Sequence, residues 1–419
     1  MGPKNALYAQ SGGVTAVINA SAGGLITACR RHSHEIGTVF GASNGILGAL
    51  HEELVDTATL SDEQVASLRY LPGGAFGSCR FKLPPLEQDR RPYERLIEVF
   101  RAHDIGYFFY NGGGDSCDTA LKVSRIGGEM GVPVQCIAIP KTVDNDLAVT
   151  DNCPGFGSVA KYVGTSLMEA AIDVRSMAET STKLFIMEVM GRHAGWIVAA
   201  AGLAQRQPGD PPHIILFPER VFDEDALVAR VNETVAAYGF CTIAVSEGIR
   251  DASGRFLADS GRTDAFGHTQ LGGVGPTLAN LLSARTGLKN HWAVLDYLQR
   301  SARHLASAVD VDQAWAVGEA TARLALAGHN AVMPTIERVS DDPYEWRIGH
   351  ADLAGVANVE KTVPDAFITA DGFGITEAGH RYLAPLINGE DPPPFVDGLP
   401  DYQLPQLAPV TKVLDAYDV

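Results

Sequence analysis

The sequence predicts an α/β fold of two lobes, on three observations. The chain is 419 residues long with 46% apolar and 20% charged residues, more than one small core needs and too apolar for a disordered chain. Short apolar runs alternate with helix-patterned segments, as in sheets built from parallel strands. The runs stop abruptly at Gly, Asp or Asn, and unusual polar clusters stand at those stops.

In chain order, Ala6 to Ala9 reads as a strand before QSGG, and Val17 to Arg30 as the helix that follows. Gly37 to Phe40 precedes GASNG, Tyr107 to Tyr110 precedes NGGGDS, and Val134 to Ile139 precedes PKTVDND. Val159 to Ala178 carries apolar Val163, Leu167, Ala170 and Val174 at roughly helical spacing. Leu184 to Val189 then runs into MGRHAG, and Thr242 to Val245 into SEG. PGDPP at 208–212 and DPPPF at 391–395 read as surface connections, the second opening a tail of low regularity.

Thirty-three Lys and Arg against fifty Asp and Glu give a net charge of -17, which argues against nucleic acid and anionic membrane as partners. The longest near-continuous apolar stretch, Trp196 to Ala204, is nine residues, against the roughly 20 a spanning helix needs. The opening MGPKNALYAQSGG has no charged-then-apolar leader, so a cytoplasmic location is expected. Six cysteines without a CxxC pair read as small core residues, and His32 and His34 beside Arg30 and Arg31 as a solvated basic turn.

Ligands of open α/β sheets bind beyond the carboxyl ends of the strands, so clusters at many strand exits suggest one cleft built by many loops. Ser11, Gly12 and Gly13 between a strand and a helix let backbone N–H groups approach an anion. Gly112, Gly113, Gly114, Asp115 and Ser116 add an acid to a glycine loop, as suits a backbone cradle and a metal sharing phosphate oxygens. In Lys141, Thr142, Val143, Asp144, Asn145 and Asp146, the two carboxylates are expected to point to opposite sides. One would then act as general base for an alcohol and the other bind loop N–H groups. Met190, Gly191 and Arg192 supply a guanidinium suited to phosphate, and Glu247 an acceptor for sugar hydroxyls.

Two rival motifs occur. Gly41-Ala42-Ser43-Asn44-Gly45 fits a nucleophile elbow, with His350 or His380 as the base of a serine hydrolase. Gly155-Phe156-Gly157-Ser158-Val159-Ala160 fits a dinucleotide fingerprint but follows DNCP rather than a strand.

Taken in order, SGG, GSCRFK, GGGDS, PKTVDND, GFGSVAKY, EVMGRHAGW, SEG and YLQR resemble the phosphofructokinase family from about residue 5 to about residue 305. The lysine before TVDND resembles its pyrophosphate-dependent branch. The resemblance implies two Rossmann-like lobes with the active site in the cleft between them. It implies a reaction of glycolysis and gluconeogenesis: phosphoryl transfer from pyrophosphate to the 1-hydroxyl of fructose 6-phosphate, with magnesium, giving fructose 1,6-bisphosphate and phosphate. An ATP-using enzyme of the same fold is the nearest alternative, and a non-catalytic sugar-phosphate sensor a third reading.

By the same resemblance Asp144 is the base, and Gly12, Gly13, Arg80 and Lys141 hold pyrophosphate, Arg80 bridging donor and acceptor phosphates. Thr142, Val143 and Asp144 meet the reacting end of the sugar phosphate, Met190, Gly191, Arg192 and Glu247 the sugar, and Tyr297 and Arg300 its 6-phosphate. Lys183 and His291 stand where the family often places arginines that reach in from another subunit, which implies a homodimer or homotetramer. The family's metal-binding aspartate is replaced by Gly114, which leaves Asp115 at the position that discriminates against a nucleotide α-phosphate; either Asp115 is also the metal ligand, or the metal relies on groups such as Asp144, Asp146 and water. The expected division is a donor lobe of residues 1–145, rejoined by about 252–300, and a sugar-phosphate lobe of 146–251 with 301–419.

Overall fold

The structure, a computed structural model, describes residues 2–263, 269–271 and 273–418. All six expected strands form within two residues of their expected limits, and the two expected helices become Ile18–Arg31 and Phe156–Met177. Among the described residues there are two principal sheets.

The first sheet contains β1 Lys4–Gln10, β2 Ile36–Ala42, β3 Leu54–Asp56, β4 Ile105–Gly112 and β5 Gln135–Pro140. The second contains β6 Leu184–Val189, β7 Ile214–Leu216 and β8 Cys241–Ser246. Strands β9 Asp259–Thr263 and β10 Thr269–Leu271 form a separate antiparallel pair. Strand β11 Asn290–Val294 joins the second sheet, whereas β12 Val332–Asp341 and β13 Tyr344–Asp352 join the first. In the tail, β14 Phe395–Val396 pairs with β15 Leu399–Pro400, and β16 Ala408–Pro409 with β3.

The first sheet runs in the order β13-β12-β5-β4-β1-β2-β3-β16 and the second β11-β6-β8-β7. Pairings among β1, β2, β4, β5 and β12 are parallel, as are all those of the second sheet. Both faces of each sheet are covered, and period-two alternation sorts the side chains. Leu7 and Ala9 enter one core while Ala6 and Tyr8 enter the core on the opposite face. Leu184 and Ile186 likewise part from Met187 and Val189.

The expected return of residues 252–300 to the first lobe is corrected: β11 pairs with β6 from Asn290↔Leu184 to Val294↔Glu188, within the second sheet. The chain returns later. Helix Ala308–Leu326 lies so close on helix Ile18–Arg31 that a Cβ on Gly24 would stand 2.2 Å from the Trp315 carbonyl oxygen, and one on Gly318 2.1 Å from that of Ser21. Met333 of β12 then fills one core of the first sheet while Val332 and Ile336 fill the other. Pro334 hides that strand in the sequence, because its missing N–H argues against an internal strand.

Five cysteines are buried and Cys79 is partly buried, all as free thiols. No helix among the described residues is long and apolar enough to cross a membrane.

Candidate active site

A cavity of about 1110 Å³ opens between the two sheets. Gly13 follows β1, Gly113 to Asp115 follow β4, Lys141 to Asp146 follow β5, Met190 to Ala194 follow β6, Glu247 follows β8 and Asp296 to Arg300 follow β11. Every one of these lies at the carboxyl end of a parallel strand, where such sheets expose loops and helix N-termini.

On one side, cations converge on the first glycine turn. Gly12, at φ 72, donates its N–H to the Cys79 carbonyl at 3.0 Å. Lys141 Nζ donates to the Gly13 carbonyl at 2.6 Å. A Cβ on Gly13 would lie 2.7 Å from Arg300 Nη1 and 3.8 Å from Arg80 Nη2. Three basic side chains from separate loops thus surround a turn with no side chains of its own, which is the arrangement an anion needs. Lys141 is buried, and burial lowers its ammonium to about 8, opposed by the carboxylate of Asp144 and assisted by the charge of Arg300. Burial likewise lowers Arg300, whose guanidinium lies 3.8 Å from the centroid of the Tyr297 ring.

Beside them stand the carboxylates. Asp144 and Asp146 both line the cavity, correcting the expectation of opposite sides, because residues two apart share a face even of an extended backbone; Asn145 between them takes φ 54. Asn145 itself is buried: it donates from its side chain to Tyr382 at 3.0 Å and accepts the Cys153 N–H at 2.9 Å. Asp144 receives the Thr142 hydroxyl at 3.4 Å and returns its own N–H to it at 3.0 Å. Burial raises Asp144, as does the charge of Glu247, against the pull of Lys141. Asp146 is raised to about 7, by burial and then by Asp144.

On the far side, Gly191 at φ 133 turns its N–H toward Glu247 Oε1 at 3.4 Å, and the Met190 N–H reaches Gln299 Oε1 at 3.3 Å. Met190, Arg192, Glu247, Tyr297 and Arg300 line the cavity, with Gly191 as the hinge between the first two. A Cβ on Gly248 would meet the Arg192 carbonyl oxygen at 2.1 Å, which fixes the two loops against each other. Lys183 and His291 are not brought to the cavity by this chain. Lys183 sits before β6 and donates to the Ala178 carbonyl at 2.7 Å, and His291 is exposed on the edge strand β11.

Sequence reasoning missed several residues of the wall. Lys82 Nζ stands 2.6 Å from Asp115 Oδ1. Its signal was its place two residues after Arg80 in GSCRFK. His193 Nδ1 lies 3.2 Å from Glu360 Oε1, and Asn358 to Glu360 complete the rim from a segment that carries no motif.

The rival motifs lose their basis here. The Gly155 N–H, the Ser158 N–H and the Ser158 hydroxyl all donate to the buried Asp310 carboxylate at 2.8, 2.9 and 2.6 Å, so that turn is closed to a phosphate. Among the described residues Ser43 makes no hydrogen bond to a histidine, and the His350 ring instead lies tilted against that of His329, centroids 4.5 Å apart.

For a divalent cation, the Oδ1 of Asp115 is taken by the Lys82 ammonium, whereas Asp146 is raised by burial and by Asp144 in a wall that a cation would relieve. Among the described residues no three His, Cys, Asp or Glu side chains form a metal cluster. The residues fit magnesium better at Asp146, beside Asp144, than at Asp115.

Residues 5–323 match the family described as Phosphofructokinase. A protein of Halomonas elongata, pyrophosphate–fructose 6-phosphate 1-phosphotransferase, is 64% identical over 400 residues, 96% of each chain. Its namesake from Methylococcus capsulatus is 62% identical over 402 residues, again 96% of each. The crystal structure of a pyrophosphate-dependent phosphofructokinase from Nitrosospira multiformis superposes with a TM-score of 0.92 at 56% identity, covering 99% of this chain and 100% of that one.

Proposed function

The chain belongs to the phosphofructokinase family, and from that premise we propose that it transfers a phosphoryl group from pyrophosphate to the 1-hydroxyl of fructose 6-phosphate. The observation that carries this reading is the pairing, in one cavity, of a buried carboxylate at Asp144 with the cations of Lys141 and Arg80 at Gly12 and Gly13.

A sugar alcohol is almost wholly protonated at neutral pH, so a carboxylate must take its proton as the bond to phosphorus forms. Asp144, raised by burial, is better matched to that task than an ordinary aspartate. The proton moves from the 1-hydroxyl to Asp144, the sugar oxygen bonds the transferring phosphorus, and the bond to the leaving phosphate breaks. Lys141, beside the Gly13 carbonyl, offers positive charge to the phosphoryl oxygens, and Arg80, which also lines the cavity, would bridge donor and acceptor. Asp146 would hold magnesium with water completing its shell, and Asp144 stands beside it. When bound, that ion neutralises charge on the donor's phosphate oxygens. Met190, Gly191, Arg192 and Glu247 hold the sugar, and Tyr297 with Arg300 the 6-phosphate. The side chain of Asp115 crowds the α-phosphate of a nucleotide, which favours the short donor.

The active form is a homodimer or homotetramer in which Lys183 and His291, both outside the cavity of their own chain, serve that of a neighbour. The test is incubation with fructose 6-phosphate, pyrophosphate and magnesium. Equal amounts of fructose 1,6-bisphosphate and phosphate are expected; phosphate without bisphosphate would make the protein a pyrophosphatase instead, and no product would favour the sensor reading.

A further inference from the structure

We propose that Lys82 is a donor-specificity residue, its ammonium neutralising Asp115 so that pyrophosphate can settle at the glycine turn. The proposal rests on the reading of pyrophosphate as donor.

The Lys82 Nζ to Asp115 Oδ1 contact measures 2.6 Å, with both side chains about half exposed. An ion pair so exposed contributes little to stability, so the fold does not account for it. Its position does have a consequence. Lys82 and Asp115 line the main cavity and also an adjoining cavity of about 210 Å³ walled by Phe81, Tyr110 and Thr119. The pair therefore stands on the boundary between the two spaces. Gly13, Arg80 and Lys141 border both spaces too, so an anion held at the glycine turn lies beside the pair.

Charge gives the lysine its role. An unpaired carboxylate in the same cavity would repel any polyanion held at Gly13, pyrophosphate included. With Lys82 in place the carboxylate keeps its bulk against a longer donor while its field on a short one is cancelled. Lysine suits this use, being a compact point charge on a flexible stem.

The test is a double-mutant cycle with Lys82→Met, Asp115→Asn and the double variant, measured as KM and kcat for pyrophosphate at saturating fructose 6-phosphate. Lys82→Met is expected to raise KM for pyrophosphate about tenfold with kcat within about twofold. In the Asp115→Asn background the same change is expected to alter KM less than about twofold. Thermal melting of all variants is expected to match wild type, since the pair is exposed. An equal rise in both backgrounds would make the lysine a direct donor contact, and no rise in either would make it a bystander; each overturns the proposal. Failure of wild type to use pyrophosphate overturns the underlying reading, and is seen before any substitution is made.

Discussion

The Lys141 ammonium donates to the Gly13 carbonyl at 2.6 Å, so the loop that carries the carboxylates and the first glycine turn are joined by a charged group at the floor of the cleft. One residue thereby positions the turn and supplies charge to it.

Lys141→Met is expected to lower kcat about a hundredfold or more, the usual loss when one charge-stabilising donor is removed. Because burial brings the ammonium to about 8, wild-type activity should fall as pH rises through that value and the charge is lost. Steady-state rates from pH 6 to 10 check both, and a profile flat to pH 10 would separate the charge of Lys141 from the rate.

Asp144→Asn should retain the loop, since the Thr142 hydroxyl still meets an oxygen acceptor, yet lose most of the rate. Loss of less than about tenfold in kcat would remove Asp144 from the role of base.

Gly13→Ala places a methyl group 2.7 Å from Arg300 Nη1, the far end of a flexible side chain rather than backbone. Melting temperature should therefore hold while KM for substrate rises about tenfold as the guanidinium is displaced. Calorimetric melting beside steady-state kinetics separates this from a general loss of fold.

Glu52, at φ 56 and buried, receives the N–H groups of Val413 and Leu414 at 2.7 and 3.0 Å and the His103 ring at 2.7 Å, tying the tail to the first lobe. Burial raises its carboxyl, but these partners outweigh burial and hold it below the usual range. A depressed carboxylate stabilises the fold above its unfolded value, near 4.3, and that stability is lost as pH falls through the folded one. Glu52→Gln should thus be less stable than wild type at pH 7, with the gap closing below about pH 4 in denaturant titrations.

The parallel core was legible because its strands are short apolar runs with polar stops, as in Leu184 to Val189 before MGRHAG. The loops at those stops reach one cavity for the same reason, since parallel strands share a carboxyl end. What stayed hidden depends on distant pairing. Strand β11 contains exposed Trp292 and reveals its sheet only through β6, and β12 is masked by Pro334. The rim at Asn358 to Glu360 has no local pattern, and the left-handed turn at Asn145, between the two carboxylates, is a conformation asparagine tolerates but a sequence does not announce.

The most direct test compares fructose 1,6-bisphosphate formation with pyrophosphate and with ATP at equal concentrations, with magnesium and fructose 6-phosphate. The account predicts a preference for pyrophosphate of more than about a hundredfold in kcat/KM, about 2.7 kcal/mol at the transition state. A preference for ATP would contradict it, leaving the fold and the base in place but overturning the roles of Lys141 and Asp115 in choosing the donor.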